Sequence, residues 1–322
     1  MAGTREKGQG IRERGNGGTA QAVYAGMRSI LPACTVVLAS AISTACVVSV
    51  DSQGQVVREE KRFSVSGTPD VRVTTFDGSI EVQSWDRAEV LIEIEKRGPT
   101  REAIDALEIK SSQDGNVIEL DVKRPRSETF SSMGFRRSAS ARLIVTIPKR
   151  ADVRARSGDG SIRIERVEGT LEVRTGDGSI RAADVSGNLE FNTGDGSINV
   201  DGAEGRLAVD TGDGSVHVSG KLSALKMHTG DGSIVFRAQP GGSMTEDWDI
   251  STGDGGVALY LPPDFSAEID AHTGDGTITN DLTLASSEGV QANRRTVRGR
   301  LGAGGRLLRV RTGDGSIRLK SN

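Results

Sequence analysis

The segment RTGDGSIR, residues 174–181, decides the fold of this chain because nearly the same letters return along the sequence. They return as NTGDGSIN at 192–199, DTGDGSVH at 210–217, HTGDGSIV at 228–235 and RTGDGSIR at 311–318. A catalytic loop is needed once in a chain. A short motif that recurs many times is typical of a structural turn or of a surface built from equivalent units. We refer to the recurring GlyAspGlySer motif and its flanking residues as the phrase.

The aspartate of each phrase gives the register of the repeat. The first five copies follow one another at intervals of 18 residues, and the later copies follow after 23, 21 and 39 residues; these aspartates are Asp159, Asp177, Asp195, Asp213, Asp231, Asp254, Asp275 and Asp314. An earlier relative of the phrase, TTFDGSIEV, carries Asp77. Self-similarity at a fixed period indicates a solenoid or another repeated array.

Each period holds two short strands. Ile198 and Val200 alternate with polar residues after one turn, and Leu207 and Val209 do so before the next. This alternation is typical of half-buried strands, with polar residues such as Asn199 facing water. We therefore predict an all-β fold in which one turn of each period is GlyAspGlySer and the other contains a glycine.

Two architectures fit this pattern. A single period buries too little apolar surface to offset the entropy of ordering its backbone, so it must borrow hydrogen bonds from its neighbours. A parallel β-solenoid with coils of about 18 residues does this and hides every apolar residue in one interior. Asp-Gly between alternating strands is also a hairpin signal, so an antiparallel β-meander stays the alternative. We favour the solenoid because so wide a meander would still have to fold over its apolar face.

The turn residues have predicted roles. Glycine adopts positive φ without strain, and we expect this conformation at the glycines of the phrase, among them Gly176, Gly178, Gly194, Gly196, Gly212, Gly214, Gly230 and Gly232. The aspartate is expected to accept hydrogen bonds within the turn. The preceding threonines are expected to form a column of stacked hydroxyls.

Stacked aspartates would form a row of like charges about 5 Å apart, which repel by about 1 kcal/mol per pair in water. Calcium could relieve this repulsion on a ladder formed by Asp159, Asp177, Asp195, Asp213 and Asp231. The sequence lacks the GlyGlyXGlyXAsp nonapeptide of calcium-binding β-rolls, and nearby arginines could serve instead. We therefore expect structural turn residues and no cofactor, with a cation ladder as the alternative.

Nothing in the sequence predicts catalysis. The chain has three histidines, His217, His228 and His272, which lack a spacing typical of metal ligands, and no serine lies in a nucleophile elbow. Aromatic residues make up 3% of the chain, which leaves few platforms for sugar rings. We expect a protein that is not an enzyme, with a glycan-cleaving β-helix as a distant alternative. The net charge of −3 argues against a nucleic-acid partner.

An apolar segment over residues 29–50 predicts export. It follows several arginines and contains both cysteines, so the folded part should hold neither a disulfide nor a cysteine zinc site. Small residues before Cys46 resemble a lipobox, in which the cysteine carries the lipid, although Ser43 stands where leucine is usual. An uncleaved anchor helix and an ordinary cleaved signal are the alternatives. Each one places the chain in the cell envelope, and the first two tether it to a membrane.

We predict four regions along the chain. Residues 1–50 hold the extension and export segment, 51–66 a tether, 67–150 an irregular β-rich part that caps the stack, and 151–322 the regular repeats. Within the irregular part we expect strands at 89–95, 117–123 and 142–147, a helix at 100–109 and an exposed loop at 124–141. Residues 281–304 interrupt the repeats. Arginines in the loop and in this insertion could contact anionic lipid or an acidic glycan; they are Arg136, Arg137, Arg294, Arg295, Arg298 and Arg300.

Three stretches resemble a bacterial family of exported domains, the putative-adhesin family, whose members are often lipoproteins. They are RVTTFDGSIEVQSWDRAEVLIEIEKRG (72–98), ARLIVTIPKRADVRARSGDGSIRI (141–164) and GRLLRVRTGDGSIRLKSN (305–322). The resemblance covers residues 57–322 and implies a right-handed β-helix-like fold without enzymatic activity. It supplies no binding residues. The functional hypotheses are adhesion or scaffolding in the envelope and, as the alternative, a cation- or polyanion-binding module.

Overall fold

The computed structural model of the chain describes residues 44–51, 54–124, 139–285 and 291–322. Most of the predicted export segment and the loop arginines Arg136 and Arg137 lie outside the described residues. Among the residues that are described, strands dominate and the single α-helix has five residues. The predicted all-β fold class is therefore confirmed.

Strands of the regular middle region stack in the order of the sequence. They are β9 (Asp152–Ser157), β10 (Ile162–Glu165), β11 (Glu168–Thr175), β12 (Ile180–Ala183), β13 (Ser186–Thr193), β14 (Ile198–Thr211), β15 (Val216–Thr229) and β16 (Ile234–Ala238). Each pairs in parallel with its equivalent in the next repeat, so that Ile162 lies opposite Ile180, and Ile180 opposite Ile198. Between repeats in this region the pairing is parallel, which excludes the antiparallel meander here.

One repeat contributes one layer to the stack, which we define as the two strand segments on either side of its GlyAspGlySer turn. The front face is the outer surface of the segments that precede this turn, and the back face is that of the segments that follow it. Inward residues alternate with outward ones on both, as the burial of Val173 and Ile180 beside the half-exposed Glu172 illustrates. The core is largely aliphatic, with Phe191, Phe236 and Trp248 among its largest side chains.

The N-terminal part departs from sequence order. Its elements are β1 (Thr44–Asp51), β2 (Gly54–Ser64), β3 (Asp70–Thr75), β4 (Ile80–Trp85), β5 (Glu89–Gly98), α1 (Arg101–Asp105), β6 (Glu108–Asp114), β7 (Val117–Lys123) and β8 (Ser140–Pro148). β3 pairs in parallel with both β7 and β9, and β4 with both β8 and β10, so the first layer lies between the next two. β5 then covers β8 in antiparallel orientation, β2 covers β5, and β1 covers β2.

Two expectations for this part need correction. Residues 51–66, expected to form a tether, include β2, whose ten paired residues lie against β5. The helix expected at 100–109 ends at Asp105, and β6 begins at Glu108 because its backbone pairs with that of β7 in antiparallel orientation. The strands expected at 89–95, 117–123 and 142–147 correspond to β5, β7 and β8.

The C-terminal part is interleaved in the same way. Its strands are β17 (Trp248–Thr252), β18 (Val257–Leu261), β19 (Ala267–Thr273), β20 (Ile278–Asn280), β21 (Leu284–Ala285), β22 (Gln291–Ala292), β23 (Thr296–Leu301), β24 (Leu307–Thr312) and β25 (Ile317–Ser321). β24 pairs in parallel with β17 on one side and with β19 on the other. The last repeat of the chain therefore lies between the two that precede it, and β23 covers the outer edge of β19 in antiparallel orientation.

No helix among the described residues is long and apolar enough to cross a membrane. The backbone of Cys46 lies in β1, opposite Glu59 of β2. Lipid attachment at Cys46 stays a prediction.

Candidate binding surface

The threonine before each GlyAspGlySer turn forms a buried spine through the stack. Thr193 Oγ1 shares its proton between the carbonyl oxygens of Gly176, at 3.0 Å, and Gly178, at 2.9 Å, in the preceding layer. It also accepts a bond of 3.3 Å from the amide of Gly196 in its own turn. The predicted column of hydroxyls is present, but each one bonds backbone atoms instead of the next hydroxyl. The spine ties every turn to the one beneath it.

The glycines of the phrase serve close packing instead of positive φ. A Cβ on Gly196 would lie 2.0 Å from the carbonyl oxygen of Gly178, and one on Gly178 would lie 2.2 Å from that of Gly160. Neither glycine has a left-handed φ. Positive φ occurs at the second turn instead, where Gly187 has 119° and Gly205 has 104°. The expectation of left-handed glycines in the phrase was therefore wrong, because adjacent turns stack backbone against backbone.

The phrase aspartates point into solvent. Asp159, Asp177, Asp195, Asp213 and Asp231 are exposed, and within the described part of the chain none of these carboxylates accepts a hydrogen bond or forms an ion pair. Asp275 is different, since Arg295 lies 3.2 Å from it. No group of three His, Cys, Asp or Glu side chains that could hold a metal ion occurs among the described residues. The geometry therefore gives the calcium ladder no support.

The histidines lie apart on the surface. His228 and His272 occupy the front face, where Nδ1 of His228 is 3.1 Å from Ser251 Oγ and Nδ1 of His272 is 3.0 Å from Thr296 Oγ1. His217 is exposed on the back face. Their neighbours do not form a catalytic arrangement of nucleophile and base.

Ion pairs cross the front face from layer to layer. Arg156 bonds Glu172 at 2.6 Å, and Arg174 bonds Glu190 at 2.8 Å. The hydrogen bond from Arg156 lowers the pKa of the Glu172 carboxyl below its ordinary value, and nearby arginine charges add to this effect against the opposing effect of burial. Seven arginines of this face have acidic partners among the described residues; they are Arg72, Arg154, Arg156, Arg174, Arg206, Arg309 and Arg311.

The back face carries a shallow open groove of about 380 Å³. Its outward side chains come from five successive layers and include Arg163, Glu165, Arg181, Ala183, Asn199, Asp201, His217, Ser219, Val235 and Arg237. Arg237 lies over the ring of Tyr260 at 3.9 Å, beyond the groove. Beyond the groove, Arg318 and Lys320 occupy the equivalent outward positions of β25, opposite Ala258 and Tyr260.

From β10 to β25 the cations of the back face are largely unpaired, whereas Arg142 of β8 bonds Glu81 of β4 at 2.8 Å. Across the described residues, Arg181, Arg318 and Lys320 have no ion-pair partner. Arg163 has only a long contact of 3.5 Å with Glu165. This face therefore presents positive charge that is free to meet an anion, in contrast to the front face.

From the sequence, the arginines near the phrase were expected only to relieve repulsion within the aspartate row. None of Arg163, Arg181 and Arg318 contacts a phrase aspartate among the described residues, and Arg174 and Arg311 pair with other acids. The missed signal was their position directly after the inward isoleucine of the phrase, which alternation places outside. In the insertion, Arg295 is paired with Asp275 and Arg298 with Asp270. This arginine cluster therefore has less unpaired positive charge for binding an anionic ligand than the sequence predicted.

Comparison with known proteins identifies a family for this chain. The family described as Toastrack DUF4097 matches residues 68–320. No curated protein matches the chain.

Solved structures similar to this chain come from species of Clostridium, Bacteroides and Parabacteroides. A "putative cell adhesion protein" from Clostridium sporogenes is 13% identical, with a TM-score of 0.26, and the match covers 88% of this chain and 100% of that one. A "putative adhesin" from Bacteroides fragilis is 11% identical, with a TM-score of 0.36, over 81% and 96%. A "putative lipid binding protein" from Parabacteroides distasonis is 13% identical, with a TM-score of 0.43, over 81% and 96%. Likeness of this extent carries no argument about function.

Proposed function

Because the chain belongs to the Toastrack DUF4097 family, we propose that it is a non-enzymatic β-solenoid of the cell envelope that presents its outer faces for adhesion or scaffolding. The finer description of the fold, a right-handed coil of about 18 residues, belongs to the same proposal. The resemblance to the exported adhesin-like domains described above supports it.

One observation supports this proposal most strongly: on the outer faces, side chains at equivalent positions of successive layers form straight rows. Parallel pairing aligns each outward position with its equivalent in the next layer, as with Asn188 and Arg206 on the front face and Asn199 and His217 on the back face. Paired strands lie about 4.8 Å apart, so the rows repeat at that spacing. The threonine spine holds the layers in register. A rigid, periodic surface of this kind suits attachment to a polymer or to another protein surface, as in other solenoids.

Tethering is the second part of the proposal. A lipid on Cys46 would attach the membrane to the strand β1, which lies outermost in the N-terminal antiparallel group. The stack would then extend away from that attachment point. The apolar segment before Cys46 and the basic residues before that segment support export.

Intact mass and cell fractionation of the native protein test the tether. We expect a membrane-fraction protein that begins at Cys46 and carries the mass of a diacyl or triacyl group. Cys46→Ser should abolish this mass, while Cys34→Ser, inside the segment to be removed, should leave it unchanged. An unmodified full-length chain in the cytosol would contradict the proposal.

Attachment of whole cells tests the presented surface. Cells that lack the protein should adhere less to their natural polymer surface, and the wild-type chain should restore adhesion. Restoration by the Cys46→Ser chain to the same level would show that tethering is not required. Equal adhesion with and without the protein would contradict the adhesive role.

A further inference from the structure

We propose that the back face binds an extended, carboxylate-bearing polysaccharide that lies along the stack axis in the groove. This inference deepens the proposed function and rests on it, since it names the chemistry of the polymer that the surface would meet. The site is formed by Arg163, Arg181, Asn199, His217 and Arg237, with Arg318 and Lys320 beyond them.

The register of the strands aligns the polar groups into two rows. Arg163, Arg181, Asn199 and His217 are direct partners in four successive layers. The second row runs through Ser219 and Arg237 towards Lys320. With layers about 4.8 Å apart, donors recur at a spacing comparable with the length of one pyranose residue. A linear polymer can therefore meet equivalent donors at successive sugars.

Charge favours an acidic ligand. From β10 to β25 the outward positions of this face hold five cations and two acids; they are Arg163, Arg181, Arg237, Arg318, Lys320, Glu165 and Asp201. Both acids already have partners, since Glu165 lies 3.5 Å from Arg163 and from Arg166, and Asp201 accepts a hydrogen bond from Ser219. The guanidinium of Arg181, which has no ion-pair partner in the described part of the chain, can form a bidentate bond to a carboxylate.

The front face of the same molecule shows how a similar groove differs when its arginines are already paired. It has a groove of about 500 Å³, but its rim carries Glu246, Asp247 and Asp249, and Arg206 is paired with Glu246. Arg174 belongs to the same layer as Arg181 and bonds Glu190. Arg174 and Arg181 flank one turn and differ in the respect that matters for binding. Arg174 already has a carboxylate partner, whereas Arg181 has none among the described residues.

The shape and side chains of the groove favour a glycan over other polyanions. Small residues such as Ala183 and Ser219 line this shallow groove and leave room for a single polymer chain. Single-stranded nucleic acids need aromatic rings on which bases stack. Tyr260, beside the groove, already has Arg237 over its ring. The amide of Asn199 is a suitable partner for sugar hydroxyls.

Titration calorimetry with oligogalacturonate of defined length tests the proposal on the purified full chain. Neutral dextran and vesicles of phosphatidylglycerol are the comparison ligands, and the length of the glycan is measured after incubation. We expect binding of oligogalacturonate that weakens about tenfold when salt rises from about 50 to about 200 mM, because several ionic contacts are screened. We expect no binding of dextran and no shortening of the glycan.

Matched variants locate the site. Arg181→Gln should weaken binding about fivefold, and the triple variant Arg163→Gln, Arg181→Gln, Arg237→Gln about a hundredfold, because charge-assisted contacts are lost. Arg174→Gln in the same layer should leave the affinity within twofold. Thermal unfolding curves confirm that each variant is folded.

Each outcome decides the proposal. Absence of oligogalacturonate binding, equal losses for Arg181→Gln and Arg174→Gln, or an unchanged triple variant would overturn it. Tighter binding to the vesicles than to the glycan would assign the face to anionic lipid instead. Failure of this assay with a lipid-modified, envelope-located protein would reject the glycan site alone, whereas a cytosolic protein would reject the proposed function.

Discussion

The regular middle of the stack and its two ends follow different rules. From β9 to β16, each repeat lies on the one before it in the sequence, and the paired residues are 18 positions apart as far as β14. At the ends the chain leaves the stack and returns inside it: β3 lies between β7 and β9, and β24 lies between β17 and β19. The repeat pattern thus determines what a layer is, whereas the need to cover an open edge determines where the last layers go.

Edge protection gives the physical reason for this difference. An outermost parallel strand would expose a row of unpaired amides and carbonyls, which invites pairing with other chains. At both ends an antiparallel strand covers the outermost layer, β5 against β8 and β23 against β19. Interleaving also means that the last strands of the chain have neighbours on both sides, so the C-terminus does not form the edge.

Substitution of the same phrase position in the middle and at the end should give the largest difference. Ile198 is fully buried with layers on both sides, so Ile198→Asp should lower the free energy of unfolding by about 4 kcal/mol or more. Ile278 is half-buried and pairs with Ile317 in the last layer, so Ile278→Asp should cost about 1 kcal/mol. Denaturant unfolding followed by circular dichroism measures both.

Asn199→Asp is the control for this comparison, because Asn199 points outward beside Ile198 and its change should alter stability little. Equal losses for Ile198→Asp and Asn199→Asp would mean that the inward face has been assigned wrongly. Equal losses for Ile198→Asp and Ile278→Asp would remove the distinction between the middle and the end.

Adjacent glycines test the close contact between turns. A Cβ on Gly255 would lie 1.9 Å from the carbonyl oxygen of Gly232, whereas one on Gly256 would have its nearest contact at 3.4 Å, with Ser316. Gly255→Ala should therefore cost about 3 kcal/mol, because two backbones must separate, and Gly256→Ala should be close to neutral. Thermal unfolding measures both. Similar melting temperatures for the two variants would contradict backbone stacking at the turns.

Low pH should lower the stability of the C-terminal layers. Burial alone would raise the pKa of the Asp270 carboxyl, but hydrogen bonds from Arg311 and Arg298, together with their charges, hold this pKa below its ordinary value of 3.8. A carboxyl with a depressed pKa in the folded state stabilises the fold above its unfolded pKa and loses this effect as the pH falls through the folded value. We expect about 1 kcal/mol to be lost as the pH falls from about 5 to below 3.

Asp270→Asn should remove this stabilisation at neutral pH and flatten the pH dependence. Asp270 joins β19 to Arg311 of β24 and to Arg298 of β23, so amide exchange should rise in these strands and stay unchanged in β11 and β13. Asp210→Asn, an exposed front-face residue of the middle region, is the control. A uniform change in exchange along the stack would contradict a local role for Asp270.

The phrase aspartates should give the smallest effect, with opposite signs in the two regions. Asp195 has no ion-pair partner within the described ranges and lies between like charges in the adjacent layers, so Asp195→Asn should stabilise by about 0.5 kcal/mol at low salt and by nothing at high salt. Asp275 lies 3.2 Å from Arg295, so Asp275→Asn should destabilise by a similar amount. Melting temperatures at two salt concentrations measure both, and stabilisation of Asp195→Asn that persists at high salt would exclude repulsion as its cause.

Local residue patterns were sufficient to predict much of the fold. The alternation around Ile198 and Leu207 predicted which residues are buried, and the spacing of the aspartates predicted which residues lie opposite one another. The strands near residues 89, 117 and 142 followed from the same alternation. These features could be predicted because each depends on neighbours in the sequence or on the period itself.

The candidate site was predicted less well, because it depends on partners in other layers. The sequence drew attention to the aspartates, yet it is the ion pair of Arg174 with Glu190, and its absence at Arg181 among the described residues, that separates the two faces. Likewise, the sequence explained the phrase glycines by turn conformation, whereas the structure gives another reason for them: a carbonyl oxygen of another repeat would lie about 2 Å from an added Cβ.

The sequence by itself determined the composition of a layer. Each layer has two strands in which apolar and polar residues alternate, a GlyAspGlySer turn, and a threonine whose hydroxyl can bond the turn of the preceding layer. Only the tertiary structure decided the order of the end layers, the reason for the glycines and the face on which positive charge stays unpaired. The physical reason is that burial alternation is a property of one strand. Edge covering, backbone contact and ion pairing are instead properties of two segments that meet only when the chain is folded.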